Sequence, residues 1–546
     1  MNSTIMKFFS LYFYTIIHLR PIQIYYRIFY KIRLVFRKNI GFQYPQFVSA
    51  PSYSITLKPS IISNQSYFPD ENRFCLLNQA QVFPINQINW NDEKTYGKLW
   101  AYNLNYFDFL NQENLTKSQG ISLIRAFINA SPPLKTGLEA YPMSLRGINW
   151  IKFLNKYQIQ DDEINAFLLA QYFRLADNIE YHIMGNHLLE NAFSFLFGAY
   201  YFQNEQFLKV ANQIFEQEFS EQILADGGHF ERSPMYHQII LFRMLDCLNL
   251  IQNNNNFHGL QIEKSILEYA KKMLDFLQII TFKNGDIPLM NDAAKNVAPT
   301  TLQILQYAHR LNLHVQKIDL SESNYRKIEH NNYELLINVG EVSPNYLPAH
   351  SHSDIFNFVL YVNGKPFIVD TGTSTYENTT QRQVERSTSA HNTVQIGDFE
   401  QSEIWESFRI ARRAKCRILF ESESQITASH NGFQRLGVIH ERSFTTNETR
   451  ILIEDKIVGK TKYTQKAYLH FHPTIDIEII GSRVKTNTGE LIFSPEVEIV
   501  EGEYYFIEEF NKKVKSKVIT LFFENYLSTT LKFFNHLENP CSNILL

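Results

Sequence analysis

Three short stretches of the sequence gather residue types that move protons or bind anions. In Gly185-Asn186-His187-Leu188-Leu189-Glu190-Asn191, a helix would make Asn186 and Glu190 i,i+4 neighbours, as it would His187 and Asn191. That pattern suits helix capping plus a satisfied core histidine, and it equally suits a cluster of donors for an anion. The second stretch runs Asp226-Gly227-Gly228-His229-Phe230-Glu231-Arg232-Ser233-Pro234-Met235-Tyr236-His237. Ser233-Pro234 reads as an N-cap followed by proline at the first helical position, which puts Tyr236 in the first turn. A helix start favours negative charge, so a phenol there is biased towards phenolate, a form useful to a general base.

The third stretch is His350-Ser351-His352-Ser353-Asp354, followed by Asp370 and His391. Two histidines and a carboxylate form a common zinc set, but a second His-x-His pair at His470 and His472 shows how little one pair means. The turn signal Asn363-Gly364 sets Asp370 opposite Asn357, and an unbroken strand would turn His352 to the other face. A metal site here requires the strand to begin after His352, or a bulge near Ser353.

The elements that must hold these groups fall into two blocks. Residues from about 96 to 325 carry apolar positions at three- and four-residue spacing, as in 164–178, 182–202, 207–219, 234–252 and 266–281, and are expected to be helices. From about 330 the period becomes two, with strands expected at 355–362, 365–370, 450–458, 466–472, 475–480, 497–507 and 517–523. No strand–helix alternation occurs, which disfavours a doubly wound fold. The expected layout is a basic extension over 1–95, a helical domain over 96–328 and an all-β domain over 329–546. The chain's 546 residues with 44% hydrophobic content exclude a disordered protein. The 14% of aromatic residues can build large cores or line a sugar channel.

Charge is unevenly spread. Residues 1–69 hold eight basic residues and no Asp or Glu, although the whole chain has a net charge of −3. A helix over 21–38 would align Ile22, Tyr25, Phe29, Ile32 and Phe36 on one face, with Arg27 and Lys31 on another. Such a helix either touches a membrane surface or a polyanion or docks on the body by its aromatic face. No apolar run is long enough to cross a membrane. Phe8–Ile17 is long enough for a signal h-region, yet no small-x-small cleavage site follows it. The four cysteines, Cys75, Cys247, Cys416 and Cys541, form no CxxC pair, so neither a disulfide framework nor a Cys-rich zinc site is expected.

Taken in order, several motifs resemble the heparinase II/III-like polysaccharide lyases. They are Trp100-Ala101-Tyr102-Asn103-Leu104-Asn105-Tyr106-Phe107, Ser144-Leu145-Arg146 with Asn149-Trp150, the Gly185–Asn191 and Gly228–Tyr236 stretches, His350–Asp354, Val369–Thr373 and Arg386–Val394. The resemblance covers about residues 95–475. It implies an incomplete (α/α) toroid followed by a large antiparallel β-sandwich, with the active site between them. By the same resemblance, Asn186 and His187 neutralise a uronate carboxylate, Tyr236 is the principal base and acid, and His350 is a second catalytic group. Glu190 orients its neighbours. Arg146, Asn149 and Trp150 line the sugar channel, with His229 and Glu231 also at the substrate. His352, Asp370 and His391 hold a structural divalent ion, of zinc type. The implied partner is an acidic polysaccharide, with no nucleic acid, and the implied location is the periplasm or cell envelope; the unclear N-terminus keeps a cytoplasmic location open. Two other functions fit the sequence. A glycoside hydrolase would need paired carboxylates among Asp226, Glu231 and Glu190. A non-degrading binding or assembly factor for an envelope polysaccharide would suit the basic start.

Overall fold

The computed structural model describes residues 3–51, 54–84, 87–131, 134–257 and 261–534. Cys541 lies outside these residues, while Cys75, Cys247 and Cys416 are free thiols. The expected helices form with ends shifted by a few residues, and the expected helix Pro234–Gln252 is observed as such. Local chemistry sets the starts. Thr116 and Thr300 close capping boxes, Asn204 caps Glu205–Gln222, and Ser233 accepts from the Tyr236 backbone N–H.

The helices pack as an incomplete (α/α) toroid. Near its middle runs Gly185–Phe202, in which every residue except His187 is buried. A helix apolar all round must lie inside a domain, and that is where this one lies. Trp150 is also inside. It is fully buried, stacked on Phe167 with ring centroids 5.8 Å apart and edge-on to Phe107 and Phe127. The expectation that it lines a sugar channel is therefore corrected. Trp150→Ala should destabilise the toroid by about 3–5 kcal/mol, read as an earlier denaturant transition, and should leave the KM of the folded protein unchanged. A raised KM would return Trp150 to the site.

From Tyr325 onward the chain is mainly β-structure, interrupted by the short helix Thr380–Arg386 that carries Arg382. An eight-stranded antiparallel sheet and two four-stranded antiparallel sheets make the sandwich, and an isolated bridge between Ile368 and Phe471 ties the two smaller sheets together. A core of Leu335, Phe358, Val394, Phe444, Leu469 and Leu521 fills it. Asn363 and Gly364 both take positive φ, 51° and 72°, as a type I′ turn requires. The strand after the His350 stretch begins only at Phe358, and the hairpin register shifts between Leu360 and Tyr361. The late start, one of the two conditions a shared site demanded, is thus met. The bulge falls in the hairpin, away from Ser353. Asn357 lies against Asp370, its amide donating to the carboxylate at 2.5 Å.

The N-terminal segment forms two helices, Ser3–Ile16 and Pro21–Asn39, and a small three-stranded sheet. Pro21–Asn39 does not dock by its aromatic stripe. Its inward positions are Gln23, Tyr26, Tyr30, Arg33 and Arg37, and Ile32 and Phe36 point to solvent.

Candidate active site at the domain junction

Glu231 organises the helical side of the junction. Its carboxylate accepts the backbone N–H of Asn186 at 3.1 Å and the Asn186 amide at 3.1 and 2.9 Å. A carboxylate from a distant loop thereby caps the start of Gly185–Phe202, which has no side-chain cap of its own. The approach is so close that a Cβ at Gly185, where φ is +60°, would lie 2.6 Å from Glu231 Oε1; only glycine fits. Asn186 Oδ1 is left buried with no protein partner.

His187 is the part-exposed residue of this helix. Its Nδ1 lies 3.0 Å from Glu180 Oε1 and its ring 4.5 Å from that of Tyr141. Burial lowers the His187 imidazole, but the Glu180 carboxylate more than offsets it, and the net direction is up. The arrangement favours the protonated imidazole, in which Nε2 is an N–H donor. Glu180 is in turn held by Asn191, which accepts from the Glu180 backbone N–H and donates to its carboxylate.

Tyr236 stands where its cap predicts. Its ring lies face to face with that of His350, with centroids 3.8 Å apart and planes 28° from parallel. His350 Nδ1 lies 3.0 Å from Asp292 Oδ2. A carboxylate only accepts, so Nδ1 carries a proton; Nε2 lies 3.7 Å from Glu231 Oε2. The helix start does not win at Tyr236. Burial raises its phenol above the ordinary value, Asp292 and Glu231 add to the rise, and Tyr376 and Arg382 only partly counter it. The free protein holds a neutral phenol, not the expected phenolate. The loop before the helix is held in a left-handed conformation at Arg232 (φ 53°), with Tyr325 and Asn291 donating to its carbonyl. Such strain is retained where surrounding contacts over-determine it.

Asp292 joins the two domains. It accepts from His350, from His352 Nε2 at 2.9 Å and from both terminal nitrogens of Arg382 at 2.5 and 2.7 Å, and is fully buried. Sequence reasoning missed it, together with Glu180, Arg382 and Tyr376. Asp292 follows no periodic spacing, and its partners lie about 60 to 90 residues onward.

The remaining expected residues divide. Glu190 is fully buried and pairs with Arg243, and burial raises its carboxyl to about 7; it supports the helix interior, and Glu231 takes the orienting role. His229 is buried, bonded to Gln222 and lowered to about 4 by burial. Arg146 is buried. Its guanidinium donates to the carbonyls of Asn105 and Gly137 and to Gln171, and burial lowers it to about 9. Asn149 is buried and donates to the Tyr106 carbonyl and to Asp108. Arg146 and Asn149 are braces of the helical layer and do not line a channel, which corrects that expectation.

His352, Asp370 and His391 come together in the sandwich, all three buried. His391 Nδ1 lies 2.9 Å from Asp370 Oδ2, and the two imidazole centroids are 5.3 Å apart. His352 Nδ1 and His391 Nε2 are buried without hydrogen-bond partners, which fits two imidazole ligands of a divalent ion. Asp370 is occupied by His391, Asn357 and the Gly372 N–H. Among the described residues, no three His, Cys, Asp or Glu side chains already converge as a ligand set. The fit is thus carried by the two histidines, with Asp370 orienting one of them.

Fold and site together define a toroid–sandwich protein with a stacked Tyr236–His350 pair and a buried carboxylate clamp at the domain junction. Residues 90–318 match the heparinase II/III N-terminus model and residues 315–531 the heparinase II/III-like C-terminal model; the chain belongs to the heparinase II/III-like family. A heparin-sulfate lyase of Bacteroides stercoris is 23% identical over an alignment of 408 positions that covers 63% of this chain and 58% of that protein, so the chain spans less than two thirds of that relative's length. The crystal structure of heparinase III is similar with a TM-score of 0.64 at 17% identity, over 83% of this chain and 81% of the other. Chondroitin AC lyase of Streptomyces coelicolor A3, in complex with chondroitin sulphate, is similar with a TM-score of 0.51 at 8% identity, over 79% of this chain and 74% of the other. At these identities the structural likeness is one of fold.

Proposed function

We propose that the protein is a polysaccharide lyase that cleaves a uronic-acid-containing polymer by β-elimination. The observation that carries this reading is the stacked Tyr236–His350 pair, linked through Glu231 to Asn186 beside the part-exposed His187. Elimination breaks the C5–H and C4–O4 bonds and forms a C4–C5 double bond. The C5 proton becomes acidic only when charge developing on the adjacent carboxylate is stabilised. His187 suits that task as an N–H donor, and Asn186 only through an amide N–H not taken by Glu231, since its unpartnered atom, Oδ1, is an acceptor.

The neutral phenol favours a division of labour between the stacked rings. His350 Nε2 takes the C5 proton, and Tyr236 delivers its own to O4 as the bond to the leaving sugar breaks. His352 and His391 would hold a divalent ion through their unpartnered nitrogens, with Asp370 orienting His391. The ion would brace the sandwich face behind His350. Elemental analysis of the purified chain should find a bound divalent metal, and its absence would count against these ligands.

Mass spectrometry of the products tests the reaction class. Elimination yields fragments whose new non-reducing end lacks one water relative to hydrolysis, and hydrolytic fragments would overturn the proposal. Asn186→Ala should lower kcat by about 10²–10³-fold, the usual cost of a lost oxyanion-stabilising donor; an unchanged kcat would remove Asn186 from the chemistry.

A further inference from the structure

The two N-terminal helices sit on the body with their polarity reversed. Surface helices ordinarily bury their apolar stripe. Pro21–Asn39 instead turns Gln23, Tyr30, Arg33 and Arg37 inward, where Gln23 donates to the Ile183 carbonyl, Tyr30 to the Ile179 carbonyl, and Arg33 and Arg37 bind Asp177. Just before it, Arg20 pairs with Glu221 and lies over the Tyr346 ring, 3.9 Å from its centroid. Ser3–Ile16 follows the same plan. Its Ser10 and Thr15 hydroxyls accept from Arg412 and Trp405 of the sandwich at 2.9 and 3.0 Å. What faces solvent is large and apolar, with Leu34 70% exposed and Phe9 67%, beside Phe13, Ile32, Val35 and Phe36. Large apolar side chains exposed in such number on one short segment mark a binding surface.

Charge selects what binds there. Arg27, Lys31 and Lys38 flank the patch and are exposed, and among the described residues none of them forms an ion pair. No Asp or Glu occurs in the first 69 residues. A second copy of this face would set like charges against one another, whereas lipid phosphates would neutralise them. Next to the first helix, a cavity of about 260 Å³ is lined by Arg413 and by Arg412 and Arg435, which share Glu403 as their ion-pair partner. Burial, and then the charges of Arg413 and Lys415, hold His18 below its ordinary value; His18 lies in the turn joining the helices, so these cations lie beside the platform. Helices of 14 and 19 residues with a cationic margin suit the plane of a bilayer surface, and among the described residues no helix is long and apolar enough to cross one.

We propose that Ser3–Ile16 and Pro21–Asn39 form a docking platform that lies in the interface of an anionic lipid bilayer. The platform grips both domains, holding the toroid at Asp177 and Glu221 and the sandwich at Trp405 and Arg412. Trp405 belongs to a two-stranded hairpin, Ile404–Trp405 with Arg409–Ile410, whose turn also carries Phe408, with its ring 5.3 Å from Tyr376 and 6.4 Å from His350. Docking would therefore hold the domain junction close to the membrane, as suits an acidic glycan attached at that surface. Binding to lipid needs no glycan, so its outcome is separate from that of the lyase reading.

Co-sedimentation of the full chain with phosphatidylcholine vesicles, with and without phosphatidylglycerol, tests the platform. The chain should sediment with the phosphatidylglycerol vesicles. Leu34→Glu with Phe36→Glu should weaken that binding at least about tenfold without changing the circular dichroism or thermal transition, because both side chains are exposed. Lys31→Glu with Lys38→Glu should remove the preference for phosphatidylglycerol. Absence of vesicle binding, or equal binding by the Leu34→Glu/Phe36→Glu protein, would overturn the proposal. So would a wild-type dimer that the same pair of substitutions makes monomeric, since the patch would then be a self-interface.

Discussion

Tyr236→Phe should abolish formation of unsaturated sugar ends while leaving the fold intact. The ring that stacks on His350 is retained, and the lost hydroxyl is the proton donor to O4. General acid catalysis contributes about 10²–10⁴-fold, which would put the residual rate near or below detection. The same variant separates two assignments of the proton transfers. If His350 Nε2 takes the C5 proton, the variant should still exchange that proton for deuterium in heavy water. If Tyr236 serves as both base and acid, exchange should vanish along with cleavage. Retained elimination would remove Tyr236 from the reaction altogether.

Asp292→Ala should be the most damaging single change outside the proton-transfer pair. Asp292 compensates Arg382 through two short bonds and fixes His350 and His352 by one bond each. The Arg382 guanidinium holds the Asp292 carboxyl well below its ordinary range despite burial. Removing the acid strands a buried guanidinium, a defect that typically costs about 3–5 kcal/mol, and frees the His350 ring. Thermal unfolding should begin markedly earlier, and activity should fall even at temperatures where the chain remains folded. Asp292→Asn, which keeps the shape and one acceptor oxygen, should recover part of the stability but less of the activity, because its amide nitrogen only donates and would face the donors that one carboxylate oxygen now satisfies. If Asp292→Ala leaves both stability and activity unchanged, the clamp is not what joins the domains.

The layout of helices followed by strands was legible because periodicity and caps are local. Ser233-Pro234 marked its helix start correctly, and Asn363-Gly364 marked its hairpin. The one-residue register shift in that hairpin was not legible; it carries Asp370 past the paired strand, where Asn357 reaches it through its side-chain amide. Local reasoning failed where an environment assembles from distant segments. At Tyr236 it weighed the helix start but not the desolvation and carboxylates that outweigh it. Trp150, Arg146 and Asn149 share a helix with apolar and polar neighbours alike, and nothing in their spacing distinguishes a channel wall from an interior brace. The resemblance gave the orienting role to Glu190 and set Glu231 at the substrate; only the fold brings Glu231 onto Asn186, 45 residues away. The aromatic stripe of the first 40 residues was correctly read as a stripe. Its outward direction depends on Asp177 and Glu221 in the toroid, which the segment's own sequence does not contain.

The most direct test of the lyase proposal is to incubate the purified full chain with a panel of uronic-acid polysaccharides and follow the ultraviolet absorbance of the C4–C5 double bond. At least one acidic polymer should give a rising absorbance together with new chain ends, and neutral polymers should give none. New reducing ends without absorbance, or tight binding of an acidic polymer with no cleavage, would contradict it.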